Sequence, residues 1–147
     1  MADNQLFKEI VKAFATGHGD KASELTSKIR DEESENYSVY VSAAFACTIG
    51  EIFDEDHSIE ALRGFVSEMS HAYRNANTPF KPLAMEALLR VLFGEEDLLN
   101  EVTPEDQLRL QIMAIRMAVH KSPKIQNQLD DYLNDAETLA AQWQSAD

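Results

Sequence analysis

The sequence predicts an all-α fold: six to seven helices forming a single domain over residues 1–147. Three observations carry that expectation. Apolar residues recur every three or four positions along the chain. The alternating β-branched residues that mark strands are missing, and five Gly and four Pro in 147 residues leave few breaks. Hydrophobic residues make up 44% and charged residues 27%, interleaved as in a globular chain rather than a disordered one. The length suits a core that needs neither disulfides nor metals.

The first helix is predicted over Asn4–Thr16, with Leu6, Phe7, Ile10, Val11 and Phe14 on one face and Gly17 placed to stop it. Gly19-Asp20 leads into a second helix, Asp20–Glu33, whose narrow stripe of Ala22, Leu25 and Ile29 makes it the most exposed of the set. A polar link over Asp31–Asn36 follows, its four acids repelling one another in a compact state. The third helix, Tyr37–Phe53, is rich in small and apolar residues, and its polar members are mostly Ser and Thr, which suits burial on most sides.

The fourth, Ser58–Ala76, is cleanly amphipathic through Ile59, Leu62, Phe65, Val66, Met69 and Tyr73. Pro79 and Pro82 then break the chain. The fifth, Pro82–Phe93, is apolar nearly all round, with Glu86 and Arg90 an i,i+4 pair on its wet edge and Gly94 ending it. Thr103-Pro104-Glu105-Asp106 is a strong helix start: Thr as N-cap, Pro in the first turn, acids favoured by the helix dipole. The sixth helix runs to about His120, with Leu108, Ile112, Ile115 and Val119 on one face and Leu110, Met113 and Met117 on another. The fifth and sixth helices are therefore expected to be the most buried, with Leu88 and Ile112 as core positions. Ser122-Pro123 starts the seventh, where Ile125, Leu129, Tyr132, Ala136, Leu139 and Trp143 form a seam that docks on the domain.

Three helices end in Phe followed by a Gly-rich or acidic turn, at Phe14, Phe53 and Phe93, which lie 39 and 40 residues apart. That spacing is near the period of stacked two-helix repeats, with the seventh helix as a C-terminal cap. Helix–turn–helix units of ordinary length also recur near this spacing, which gives a non-repetitive orthogonal bundle instead.

Twenty-six acids against thirteen Lys and Arg leave a net charge of −13. Such a surface argues against nucleic acid and against anionic membrane, both of which demand basic residues. Between Glu51 and Asp106 thirteen acids face four bases, so this stretch alone carries −9. No apolar run approaches the roughly 18 residues of a spanning helix, no signal-peptide core opens the chain, and one cysteine excludes an internal disulfide, so the expected location is cytoplasmic.

Signatures of chemistry are weak. Glu68-x-x-His71 has the spacing of one half of a di-iron site, but no second copy stands on a facing helix. Asp54, Asp56 and Ser58 match three positions of a calcium loop, yet Ile59 and Phe65 replace its required Gly and bidentate Glu. Cys47 sits among apolar residues as a small hydrophobe. Phosphate loops, nucleophile elbows and zinc-protease motifs are missing.

The expectation is a small acidic interaction module, an adaptor or regulator, with no catalytic site, metal or cofactor, and with a basic protein partner. Asp54, Glu55, Asp56, Glu95, Glu96 and Asp97 are the candidate contact residues. The turns after the three phenylalanines are expected along one edge, where these clusters form a negative rim reinforced by Asp20. The alternative is a small-molecule-binding bundle with an apolar pocket among the third, fifth and sixth helices.

Overall fold

A computed structural model of the chain describes residues 4–145, and every regular element among them is helical. The α-helices are α1 (Asn4–Ala15), α2 (Gly19–Thr26), α3 (Ser34–Ile52), α4 (Ile59–Ala72), α5 (Pro82–Leu92), α6 (Pro104–Lys121), α7 (Pro123–Asn127) and α8 (Leu129–Ser145). Two 3-10 segments, Asp31–Glu33 and Glu96–Glu101, lie between them. The described residues thus hold eight α-helices where six to seven were expected.

The extra helix comes from a break in the expected seventh. Ser122 Oγ accepts from the Ile125 N–H at 3.2 Å and Pro123 fills the first turn, so α7 starts as the sequence predicts. Gln128, at φ −118° and ψ 23°, then leaves helical geometry. Its carbonyl accepts from both Asp131 and Tyr132, which restarts the ladder as α8.

The link before α3 is the second correction. The expected second helix ends at Thr26, where the Thr26 and Ser27 hydroxyls donate to the carbonyls of Ala22 and Glu24 and compete with the backbone ladder. The acids from Asp31 to Glu35 do not simply repel. They lie at or just before the N-terminus of α3, where the helix dipole favours negative charge. Arg30 pairs with Glu32 and Glu33, and Asn36 Nδ2 donates to Glu33 Oε2 at 3.0 Å. The helix therefore begins three residues before Tyr37.

Other boundaries follow their local chemistry. Ser58 caps α4 by accepting from the Ala61 N–H, and Thr103 caps α6 by accepting from the Asp106 N–H. Gly17 and Gly94 adopt φ +82° and +111°, conformations that let the chain leave α1 and α5 without a Cβ clash. The last expected turn of the fourth helix is lost beyond Ala72; there the Tyr73 hydroxyl donates to the Met113 carbonyl at 3.0 Å and ties the chain to α6.

Nearly all the buried apolar side chains form one contiguous cluster, to which α3 contributes more residues than any other helix. α8 and α6 are the main partners of α3, and α1 contacts all three. Phe7 tilts against Tyr37 and Tyr40, and the Tyr40 hydroxyl donates to the Leu133 carbonyl at 3.0 Å, stitching α3 to α8. The last helix thus docks, but chiefly on α3 rather than as a cap on the α5–α6 pair, so the packing does not follow the order of stacked hairpins.

α3 is buried on most sides, and α5 has no exposed residue after Leu83, but α6 leaves part of its apolar circumference uncovered. Leu88 is buried, but Leu83 at the start of α5 is 82% exposed and Ile112 of α6 is only half-buried. No described helix is long and apolar enough to cross a membrane.

Candidate functional site

Two surface features stand apart from the core. The first is an acidic end. Phe53, buried at the C-terminus of α3, meets Phe65 and Phe93 edge-on, with ring centroids 5.4 and 6.1 Å apart. His57 stacks on Phe93 at 5.0 Å, nearly parallel. These aromatic contacts bring the turn after α3 against the turn after α5. Asp54, Glu55 and Asp56 on one turn and Glu95, Glu96 and Asp97 on the other are all exposed.

The end is partly compensated. Arg90 clasps Glu95 with two hydrogen bonds, at 2.6 and 2.7 Å, and these hold the Glu95 carboxyl below its ordinary range. Asp56 accepts from the Ser58 N–H at 3.0 Å, and its carboxyl is likewise depressed by bonds from Ser58. Lys124 pairs with Glu51 and lies close enough to Asp54 to feel its charge. Of the six candidate acids, only Glu95 is in an ion pair among the described residues.

Asp20 does not join them. The turn after Phe14 lies beside Ala72 and Tyr73, at the C-terminal end of α4, as their shared cleft shows. The other two turns meet at the N-terminal end, one helix length away, about 20 Å at 1.5 Å per residue. The expectation of three turns on one edge is corrected: two share an end and the first lies at the other.

The second feature is an apolar groove of about 460 Å³ beside α6, lined by Phe14, Tyr37, Tyr73, Leu108, Ile112 and Met113. Arg109 and Arg116 border it. No residue of α5 lines it, so it lies between α1, the end of α2, α3, α6 and the end of α4, not among the third, fifth and sixth helices. Met85 and Leu89 of α5 are instead fully buried in the core. The Leu108–Ile112 stripe that suggested a core face is the groove wall.

The remaining motifs have structural roles. Lys121 Nζ holds both Glu68 carboxylate oxygens at 2.7 Å, which ties α4 to α6, and His71 is exposed. Among the described residues no group of three or more His, Cys, Asp or Glu side chains is arranged to hold a metal ion. Cys47 is half-buried, and burial together with Asp135 raises its pKa, so the thiol stays protonated at neutral pH.

No family model, curated protein or solved structure matches the chain.

Proposed function

We propose that the protein is an acidic helical interaction module whose exposed end, Asp54–Asp56 with Glu95–Asp97, receives a basic segment of a partner protein. The contact of Phe53 and His57 with Phe93 carries this reading, because it draws two acidic turns 41 residues apart in sequence onto one surface. Five of those six acids have no ion-pair partner among the described residues, so their field is open to a cationic ligand. The reading assigns no catalytic step and no cofactor. It assigns the module to the cytoplasm, which the lone Cys47 suits.

The test compares two variants of equal net charge. One neutralises Asp54, Glu55, Glu96 and Asp97 as amides; the other neutralises Asp20, Glu24, Glu35 and Asp131, which are exposed on other surfaces. Binding of a lysine-rich peptide is followed by fluorescence anisotropy at low and physiological salt, where the Debye length is about 8 Å. The first variant should lose about tenfold in affinity and much of the salt dependence; the second should stay near the parent. Equal losses in the two variants would leave net charge alone as the cause and sink the proposal.

A further inference from the structure

The groove beside α6 combines an apolar floor with a cation that has no partner among the described residues. Phe14, Leu108, Ile112 and Met113 are only half-buried there, although such side chains ordinarily complete their burial inside a core. Along α6 the groove runs from Glu105 past Leu108 and Ile112 to Arg116, eleven steps or about 17 Å of helix.

Its charges are asymmetric. At the Glu105 end, Arg109 is held by Asp106 at 3.2 Å, and Asp106 is also held by Lys81 at 2.7 Å. At the other end Arg116 is exposed and makes no ion pair or hydrogen bond among the described residues, in a chain with twice as many acids as Lys and Arg. Its guanidinium stands beside the Gly17 turn, 3.7 Å from where a Cβ would sit, and its charge reaches the Tyr73 hydroxyl. An unspent guanidinium fork at the mouth of an apolar trough is suited to a carboxylate or phosphate whose tail lies along the trough.

The size favours a small ligand over a macromolecule. A volume of about 460 Å³ falls among small-molecule sites. Ten residues line the groove, against the roughly 20–30 a side of a stable protein interface.

We propose that this groove binds a single-chain amphiphile with an anionic head, the head on Arg116 and the alkyl tail along Ile112, Met113 and Leu108. The site is separate from the acidic end, and neither reading depends on the other.

Titration calorimetry with monomeric dodecanoate, dodecyl phosphate and dodecylamine tests the proposal. The two anions should bind, the better of them naming the head group, and the amine should bind at least about tenfold more weakly, a difference of roughly 1.4 kcal/mol. Arg116→Gln, at an exposed position, should erase that preference while leaving the helical circular dichroism unchanged. Ile112→Trp should block the tail and weaken both anions; the methyl resonances of Leu108, Ile112 and Met113 in the parent should shift on adding dodecanoate. The proposal is overturned if anion and amine bind alike, if Arg116→Gln keeps the preference, or if the shifted methyls lie elsewhere. Sedimentation showing a dimer that Ile112→Trp dissolves and dodecanoate does not would also overturn it, because a second copy would then be the occupant.

Discussion

α3 and α6 are the two longest helices, and both carry apolar residues around most of their circumference, yet their surroundings differ. α3 has packed neighbours on most sides: α8, α6 and α1 all contact it, and Ile49, Val41 and Ala44 are fully buried. α6 is buried on the side that meets α3, through Leu110, Ala114 and Ile115, while Ile112 and Met113 face the groove. Apolar circumference therefore states how much of a helix can be buried. It does not state how much of it the chain has partners to cover.

The sharpest way to break this comparison uses one residue type on both helices. Ile49→Ala on α3 opens a cavity in a fully packed environment and should cost about 2–5 kcal/mol in urea denaturation. Ile112→Ala on α6 removes side-chain atoms that are already partly in water and should cost about 1 kcal/mol or less. Equal losses would mean that the groove is closed in solution.

A smaller effect separates the glycines that border the two helices. Gly17 beside Arg116 holds φ +82°, so Gly17→Ala should cost about 1–2 kcal/mol through backbone strain, even though its Cβ would meet only ordinary contact. Gly50 sits within α3 with open space around its Cβ position, and Gly50→Ala should stabilise by about 0.5–1 kcal/mol. Thermal midpoints moving in opposite directions would bear this out.

Next come two tyrosine hydroxyls that donate to helical carbonyls. Tyr40→Phe loses the buried bond from α3 to α8 and should cost about 1 kcal/mol, since the Leu133 carbonyl keeps its own helical partner. Tyr73→Phe loses the half-buried bond to α6 and should cost about 0.5 kcal/mol, because water reaches that site. A reversed order in urea midpoints would place the tighter tyrosine contact on α6.

The smallest effect is a pH dependence. Lys81 and then Arg109 hold the Asp106 carboxyl at the start of α6 below its ordinary value of 3.8. A carboxyl depressed in the folded state contributes stability that is complete above the unfolded value and lost as the pH falls through the folded one. Urea midpoints of the parent should therefore fall on acidification below about pH 4, and Asp106→Asn should flatten that limb slightly while leaving the neutral plateau the lower of the two. A limb of unchanged slope would remove Asp106 from the acid transition.

Much of the fold was legible because it rests on local chemistry. Thr103-Pro104 and Ser122-Pro123 start helices wherever they occur, and Gly17 and Gly94 stop them by the same logic in any neighbourhood. The start of α3 was less legible: acids within Asp31–Glu35 carry both repulsion and a favourable helix dipole, and the pairing of Arg30 with Glu32 and Glu33 tipped the balance. The break at Gln128 has no Gly or Pro to announce it.

The candidate site divides in the same way. The acidic residues and the Phe53–Phe93 correspondence could be read directly from the chain, and the aromatic contact joins them. Arg116 offered no such signal; one cation on an amphipathic helix looks like any solvated charge until Gly17 and Tyr73 are seen beside it.

The sequence by itself determined the helical class, most helix ends and the acidic surface, since periodicity, caps and charge act within a few residues of one another. Only the tertiary structure decided that α3 became the largest contributor to the core, that the first Phe turn lay at the far end from the other two, and that one face of α6 stayed open. Those outcomes depend on which surfaces meet across the whole chain, and residues distant in sequence set them by competing for the same buried space.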